Sequence, residues 1–260
     1  MKVLSLFDGI SCGMLALNKA GIKVDKYYAS EIYDKAIEIS KHNFKKIIHI
    51  GDILNLDYKE FKRKGIDLLI GGSPCQDLSC LKTDGMGLSG EKSKLIFKFV
   101  ELKRKIKPKY FLLENVVPKK YEWRIEIDKL MGVKGVAINS DLFVPQNRPR
   151  IYWTNIPIIN LPKRLTWDFE YWQWRRTYFR KNASGVCPCL CASMGTGGHN
   201  VPLHSKDLKD RLSPEECEIL QGIPEHYTNV GVANCHRYKT IGDSWTIPVL
   251  VRIFKSLRMQ

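Results

Sequence analysis

Cys75 is a candidate catalytic nucleophile. It follows the apolar run 66–70, on the turn Gly71-Gly72-Ser73-Pro74. A free thiol has a pKa of about 8.5, so only a small fraction is thiolate at neutral pH, and a nucleophile here needs activation by its surroundings. A structural cysteine is the alternative, and for an isolated cysteine it is the commoner case. The turn is therefore a candidate site of covalent catalysis.

Acidic residues and a glycine turn follow other apolar runs. Residues 7–13, Phe-Asp-Gly-Ile-Ser-Cys-Gly, join a strand-like run to a helical pattern, where a ligand can approach backbone N–H groups. Glu31 follows the next run, placed to bind ribose hydroxyls, and Asp52 follows the one after, suited to an adenine amino group. Taken alone, the glycine turn could be only a tight structural turn, and each acidic residue could be only a strand-end cap. Their order and spacing together indicate a nucleoside cofactor.

Strands and helices alternate through the first half of the chain, and they must position these groups. The strand candidates are 3–7, 24–29, 47–50, 66–70 and 110–113, and the helical patterns are 12–20, 34–42 and 95–106. This alternation predicts a Rossmann-like, mostly parallel α/β sheet. Ligands of such sheets bind beyond the carboxyl ends of the strands, where the candidate residues stand.

The second half has a different composition. Residues 166–179 are unusually aromatic, and residues 185–201 are rich in Gly, Cys and Asn. A helix is predicted from Pro214, with Ser213 as its N-cap. Basic residues are interleaved with the aromatic ones, which suits phosphate contacts, while most of the aromatics are expected to form a small core. The aromatic residues are Trp167, Tyr171, Trp172, Trp174 and Tyr178; the basic residues are Arg175, Arg176, Arg180 and Lys181.

The formal net charge of +15 favours a polyanionic partner, although a generally basic solvated surface is the alternative. No window approaches about 18 uninterrupted apolar residues, and the N-terminus lacks the apolar core of a signal peptide, so an intracellular, cytoplasmic protein is expected. The eight cysteines fit a reducing compartment. Cys187, Cys189 and Cys191, near His199 and His204, raise the question of a metal, but their spacing is tighter than in usual zinc sites, and none is predicted.

Ordered motifs identify a family. The chain resembles the DNA cytosine-5 methyltransferases at the turn that begins with Phe7 and in five further segments, the last of which ends at Pro248. They are Ser73-Pro74-Cys75-Gln76; Glu114-Asn115-Val116; Gln146-Asn147-Arg148-Pro149-Arg150; Arg211-Leu212-Ser213-Pro214-Glu215-Glu216 with Leu220-Gln221-Gly222-Ile223-Pro224; and Ile241-Gly242-Asp243-Ser244-Trp245 with Pro248.

Departures from the family pattern occur at three places. Asp8 replaces the usual Ala or Ser, and Asp77-Leu78-Ser79 replaces Pro-Phe-Ser. With Ser244-Trp245, these variants are similar to the vertebrate de novo DNA methyltransferases. Cys189-Leu190-Cys191 stands where the family commonly carries Thr-Leu-Thr at the DNA, so two hydroxyls become weakly hydrogen-bonding thiols.

The resemblance implies a mechanism. Cys75 would attack carbon 6 of a cytosine flipped out of duplex DNA. Glu114 would act as the acid at ring N3, Arg150 would hold the O2 side, and Arg148 would support the site or a phosphate. The methyl group would come from S-adenosylmethionine. Residues 76–94 would form a lid over the flipped base, with a surface loop as the alternative.

The resemblance also implies binding residues and a division of the chain. Residues 1–154 would form the catalytic and cofactor-binding domain, 155–207 a small target-recognition region, and 208–260 a return to the catalytic domain. A monomer is expected, with a dimer left open. Cofactor contacts are predicted for Phe7, Asp8, Gly9, Ile10, Cys12, Gly13, Glu31, Ile32, Asp52, Ile53, Ser73, Pro74, Leu95, Asp243, Ser244 and Trp245, and DNA contacts for Ser79, Arg175, Arg176, Arg180 and Lys181.

Two rival functions remain at this stage. An RNA cytosine-5 methyltransferase acting on transfer RNA would use the same catalytic residues. A catalytically silent homologue would only bind DNA or a partner, but the intact Cys75, Glu114, Arg148 and Arg150 argue against it. A region as short as 155–207 should read a short site, about two to four base pairs.

Overall fold

The computed structural model describes residues 1–74, 94–175, 177–182, 185–197 and 200–258, with only the backbone of Lys94. The strands are β1 (Lys2–Leu6), β2 (Lys26–Ser30), β3 (Ile48–His49), β4 (Leu68–Gly72), β5 (Tyr110–Val116), β6 (Val136–Asn139), β7 (Pro149–Thr154), β8 (Tyr171–Trp174), β9 (Phe179–Asn182) and β10 (Val201–Leu203). The α-helices are α1 (Cys12–Lys19), α2 (Asp34–Asn43), α3 (Tyr58–Lys64), α4 (Lys94–Ile106), α5 (Tyr121–Met131), α6 (Pro214–Gln221), α7 (Asn234–Asp243) and α8 (Ile247–Lys255).

A seven-stranded sheet has the order β3-β2-β1-β4-β5-β7-β6. Strands β1 to β5 are parallel, whereas β7 runs antiparallel to both β5 and β6. The central strands are apolar along nearly their whole length because helices cover both faces. Helices α1, α2 and α8 pack on one face, and α3, α4 and α5 pack on the other. The predicted α/β sheet is confirmed.

A smaller antiparallel sheet has the order β10-β8-β9. Its Tyr171 joins a third buried cluster with Leu190 and Met194 and with side chains from α6 and α7. Ser213 caps α6 as predicted, in a capping box with Glu216 and with Pro214 in the first turn. The small sheet therefore shares its core with the C-terminal helices.

The structure corrects two sequence predictions. Strand β5 runs to Val116 rather than ending at residue 113, so Glu114 lies inside a strand. Of the five aromatic residues expected mainly in a core, only Tyr171 is buried, while Tyr178 is 54% exposed. The prediction that most of them form a core was wrong, because only Tyr171 joins the buried cluster shared with α6 and α7 and the three tryptophans stay partly exposed.

None of the helices in the described part of the chain is both long enough and apolar enough to span a membrane.

Candidate active site

Glu114 is a buried carboxylate with two partners, one on the neighbouring strand β7 and one between helices α7 and α8. Its Oε1 lies 3.0 Å from Arg150 Nε, and its Oε2 accepts a hydrogen bond from Trp245 Nε1 at 3.0 Å. Arg150 reaches it because the β5–β7 register pairs Arg150 with Val116, which shares a face of β5 with Glu114. The carboxylate is therefore held from both sides.

Gly72 makes room for this arrangement. It pairs with Glu114 across β4 and β5. A Cβ atom at Gly72 would come within 2.6 Å of Trp245 Nε1 and 3.0 Å of Glu114 Oε2. Any larger residue would push the indole away from the carboxylate.

The segment leading to Cys75 is anchored beside this pair. Asn115 Nδ2 donates to Ser73 Oγ at 2.8 Å and to the Ser73 carbonyl at 3.1 Å, and all these groups are buried. The turn after β4 is thus tied to β5 next to Glu114. Cys75 and Ser79 themselves lie outside the described residues.

Arg148 is a structural clamp rather than a surface group. It is 4% exposed and donates to the carbonyls of Leu190 at 2.8 Å, Gly242 at 3.0 Å and Ser244 at 2.7 Å. These bonds connect β7 to the 189–191 segment and to the end of α7. Of the two roles left open for Arg148, the contacts favour support of the site over binding of a phosphate.

Two buried glutamines extend the clamp, and sequence reasoning gave them no role. Gln146 Nε2 donates to the Leu220 carbonyl at 3.0 Å and to Gln221 Oε1 at 3.2 Å. Gln221 in turn donates to the Ile241 carbonyl at 3.0 Å and accepts from Thr246 Oγ1 at 2.8 Å. Three of the sequence motifs are therefore linked by buried hydrogen bonds. Their occurrence inside those motifs was the available signal.

A recess opens beyond the carboxyl ends of β1 and β2. Eight of the predicted cofactor residues line it: Phe7, Asp8, Gly9, Cys12, Glu31, Asp243, Ser244 and Trp245. Glu31 is fixed at its rim, since Oε2 accepts from the Gly9 N–H and Oε1 accepts from the N–H groups of Ile32 and Tyr33, each at 2.8 Å. Gly9 has a φ of +59° and open space where a side chain would project. Backbone groups of this turn are thus exposed to a ligand.

Asp8 lines the same recess, but its side chain is turned inward. Ser11 Oγ donates to Oδ2 at 2.5 Å and Tyr27 Oη donates to Oδ1 at 2.7 Å. Burial is the main cause that raises the pKa of Asp8 to about 6, opposed by these hydrogen bonds. Asp8 therefore stabilises the turn from behind.

The other predicted cofactor residues are not in the lining. Ile10 and Ile53 are core residues, and Gly13 is buried in α1. Asp52 accepts from the Leu54 N–H and caps the short helix Ile53–Asn55. Ile32 is 70% exposed, and Leu95 packs on the same cluster as Phe7. Ser73 and Pro74 belong to the turn anchored by Asn115.

Five lining residues were not predicted: Tyr33, Ala36, Gly72, Lys239 and Thr240. Tyr33 Oη lies 2.7 Å from His236 Nδ1, and the Lys239 ammonium stands 4.6 Å from the centre of the Tyr33 ring. Lys239 also pairs with Asp243 at 2.7 Å. Two of the five carried a sequence signal, because Tyr33 stands two residues after Glu31 and Gly72 belongs to the turn before Cys75.

The predicted DNA-contacting residues have unequal surroundings. Arg175 donates to Asn200 Oδ1, Arg180 is exposed on β9, and Lys181 pairs with Glu170 at 2.9 Å. Arg176 lies outside the described residues. Across the described ranges, no group of three or more His, Cys, Asp or Glu side chains could hold a metal ion.

The family model for C-5 cytosine-specific DNA methylase matches residues 1–122 and 163–259. The chain belongs to this family. The methylase is 32% identical over 314 aligned residues to the type II methyltransferase M.Bsp6I of Bacillus sp. (strain RFL6), covering 99% of this chain and 98% of that protein. It is 27% identical over 314 residues to the type II methyltransferase M1.ScrFI of Lactococcus lactis subsp. cremoris, covering 98% of this chain and 77% of that protein.

Solved structures show the same fold. The S. pombe Dnmt2 methyltransferase superposes with a TM-score of 0.69 at 18% identity, covering 99% of this chain and 97% of that one. Family membership confirms the predicted enzyme class, DNA (cytosine-5-)-methyltransferase, and the predicted reaction.

Proposed function

We propose that this methylase acts on duplex DNA through Cys75, with Glu114 and Arg150 holding the target cytosine. The observation that carries the proposal is the buried Glu114 carboxylate, fixed by Arg150 and Trp245 beside the turn that leads to Cys75. Carbon 5 of cytosine is a poor nucleophile, and attack on carbon 6 by the Cys75 thiolate makes it reactive. The pair of electrons from the ring then moves toward N3 and O2.

Glu114 and Arg150 meet that developing charge. A proton delivered by Glu114 to ring N3 neutralises it, and the same carboxylate accepts from the exocyclic amine. Arg150 orients Glu114 and donates toward O2. After methyl transfer, a base removes the proton from carbon 5, and the bond to Cys75 breaks.

The recess at Glu31 fits S-adenosylmethionine, which supplies the methyl group from its sulfonium when bound. A carboxylate at the rim suits ribose hydroxyls, the open backbone at Gly9 suits close approach, and the aromatic rings of Phe7 and Trp245 suit the apolar parts. Asp52 is proposed as the contact of the adenine amino group, and Ile32 and Leu95 as further cofactor contacts outside the lining of the recess. Ser244 and Trp245 close it from α7.

Residues 155–207 are proposed as the target-recognition region, between catalytic parts 1–154 and 208–260. The support is the separate small sheet and its exposed basic strand β9. Arg175, Arg176, Arg180 and Lys181 contact phosphates, and a few residues within 182–204 read the sequence. A monomer is proposed, with a dimer as the alternative.

A substrate comparison tests the proposal. Labelled S-adenosylmethionine is incubated with the enzyme and either duplex DNA or transfer RNA, and label is expected in duplex DNA alone. Glu114→Gln should lower turnover by about 100-fold to 10,000-fold, because proton delivery to N3 is lost. Glu126→Gln, on the exposed face of α5, is the matched control. Label in transfer RNA alone would overturn the DNA assignment, and an unimpaired Glu114→Gln enzyme would overturn the role of Glu114.

A further inference from the structure

Cys189 lies in the wall of the catalytic site, between two guanidinium groups. Its Sγ is 3.5 Å from Arg148 Nη1 and 3.8 Å from Arg150 Nη2. Arg150 is the residue paired with Glu114. The Cys189 sulfur is therefore separated from the catalytic carboxylate by a single side chain.

Arg148 and Arg150 favour a thiolate at this position, whereas the Leu190 carbonyl, 3.6 Å from the sulfur, favours the thiol. The neighbouring Cys191 side chain, followed by the positive charges of Arg148 and Arg150, holds the pKa of Cys189 well below its usual range, against the effect of burial. The Cys191 thiol donates to the Cys189 carbonyl at 3.4 Å, and the pairing with Cys189 raises the pKa of Cys191, so Cys191 keeps its proton. Among the described residues, Cys187 is a further thiol in this segment, and burial raises its pKa.

The other buried thiols of the described residues have the opposite environment. Burial raises the pKa of Cys12 to about 12, and it also raises the pKa of Cys217. Both are core residues without an adjacent guanidinium hydrogen bond of the kind Cys189 has. Cys189 also retains partial exposure, so a small reagent can reach it.

We propose that Cys189 is a modification site, a thiolate in the catalytic wall that reacts with peroxides and soft electrophiles. With hydrogen peroxide, the sulfur attacks one oxygen, an S–O bond forms, the O–O bond breaks and hydroxide leaves. Sulfur is oxidised to the sulfenic acid while peroxide is reduced. With iodoacetamide, an S–C bond forms and iodide leaves with the bonding electrons.

Modification removes the anion between Arg148 and Arg150. Arg150 then loses the sulfur as an acceptor beside Glu114 and the Pro149 carbonyl, and the added atoms need space close to both guanidinium groups. Oxidation of Cys189 should therefore slow methyl transfer, and dithiothreitol should restore it: one of its thiols forms a mixed disulfide with Cys189 and releases water, and the other then frees the Cys189 thiol as the reagent becomes a cyclic disulfide. This consequence rests on the proposed function, whereas the reactivity of Cys189 does not.

The first experiment measures reactivity without using enzyme activity. The folded protein receives a short pulse of iodoacetamide at pH 6.5 and at pH 8, and each cysteine peptide is quantified by mass spectrometry. An ordinary thiol of pKa near 8.5 labels about 20-fold more slowly at the lower pH. Cys189 should slow less than threefold, with the exposed Cys235 measured in the same digest. Cys191→Ala, which removes the side chain that lowers the pKa of Cys189, should make Cys189 react more slowly still at pH 6.5.

Two results would overturn the proposal. One is a pH dependence of Cys189 like that of an ordinary thiol. The other is no label on Cys189 at either pH in protein whose urea-unfolded form labels fully. Cys187, Cys189 and Cys191 share the peptide 182–206 of a tryptic digest, so fragment-ion spectra assign the label among them, whereas Cys75 lies in a different peptide.

The second experiment tests the consequence. A short peroxide treatment with dimedone should place the sulfenic-acid adduct on Cys189 of the wild type. Without dimedone, peroxide should lower turnover more in wild type than in Cys189→Ser. Dithiothreitol should then restore the additional turnover that wild type lost. Equal losses in both proteins would overturn the coupling to the catalytic site. An enzyme inactive on any cytosine substrate would count against the proposed function, while the labelling result would still decide the reactivity.

Discussion

Two regions of the molecule hold arginines in opposite surroundings: Arg148 lies just before β7 and Arg180 lies on β9. Arg148 is buried and its guanidinium donates to three backbone carbonyls, whereas Arg180 is exposed on β9. A buried guanidinium cannot leave such partners without exposing unsatisfied carbonyls, so Arg148 holds the site together. An exposed guanidinium can meet a phosphate at little cost. Burial, rather than residue type, decides which task an arginine performs.

The acidic residues of the cofactor turn repeat this contrast. Asp8 points into the protein toward Ser11 and Tyr27, while Glu31 stands at the rim of the recess. Both were predicted to bind the cofactor. Their surroundings suggest separate tests, one of stability and one of binding.

The largest effect is expected for Arg148→Met. Three buried carbonyls lose their donor, so the free energy of unfolding should fall by about 3 kcal/mol and Tm by roughly 6–12 °C. Thermal unfolding followed by calorimetry measures it, with Arg63→Met on the exposed side of α3 as the control. Equal stability of the two variants would remove the distinction between buried and exposed arginines.

Asp8→Asn should become more stable relative to wild type as the pH rises. The folded-state pKa of Asp8, about 6, lies above its ordinary value of 3.8. Its stabilising contribution is thus present below about pH 4 and is lost as pH rises through 6. Relative to wild type, the variant should gain about 2–3 kcal/mol in unfolding free energy between pH 4 and pH 8. Denaturant titrations across this range measure the unfolding free energy, with Asp168→Asn at an exposed position as the control. If the stability of both variants followed that of wild type at every pH, burial would not be the cause of the raised pKa of Asp8.

Glu31→Ala should weaken S-adenosylmethionine binding by about 30-fold, because the ribose hydroxyls lose a charged acceptor worth about 2 kcal/mol. Titration calorimetry measures the Kd, and Glu38→Ala, exposed on α2, provides the control. Unchanged affinity would show that the ribose binds elsewhere, and would leave Glu31 with only its structural bonds to the turn.

Arg180→Gln should have the smallest effect. Loss of one phosphate contact should reduce the slope of log K against log salt by about one unit, without changing the preferred site in a random-sequence library. Arg63→Gln serves as control, since Arg63 is exposed on α3, which packs on the large sheet. A changed sequence preference would mean that Arg180 reads bases, and an unchanged slope would exclude β9 from the DNA interface.

Local patterns predicted the elements of the parallel half well. The runs before Phe7, Glu31 and Gly72 became β1, β2 and β4, because buried strands and capped helices leave short-range signals. Helix α5 and strands β6 and β7 were not recognised, although β7 carries Arg150. Antiparallel pairing between β5 and β7 depends on contacts almost 40 residues apart, which no local pattern encodes.

The candidate site, like the fold, was predicted where local motifs carry the signal and not where contacts join residues distant in sequence. Motif resemblance indicated Glu114 and Arg150, and the structure brings them to 3.0 Å. It could not indicate that Arg148 binds carbonyls more than 90 residues away at Gly242 and Ser244, or that Asp8 faces inward. Hydrogen-bond partners distant in sequence are set by tertiary packing, so residue type alone left those roles open.

Covalent trapping tests the central claim most directly, namely that Cys75 attacks a cytosine held by Glu114. Duplex DNA containing 5-fluorocytosine cannot release the enzyme after methyl transfer, because fluorine replaces the proton at carbon 5. With S-adenosylmethionine, wild type should form a denaturation-resistant protein–DNA adduct with the modified base joined to the Cys75 peptide. Cys75→Ser should form none while retaining cofactor binding. An adduct in Cys75→Ser, or one mapped to another residue such as Cys189, would contradict the account.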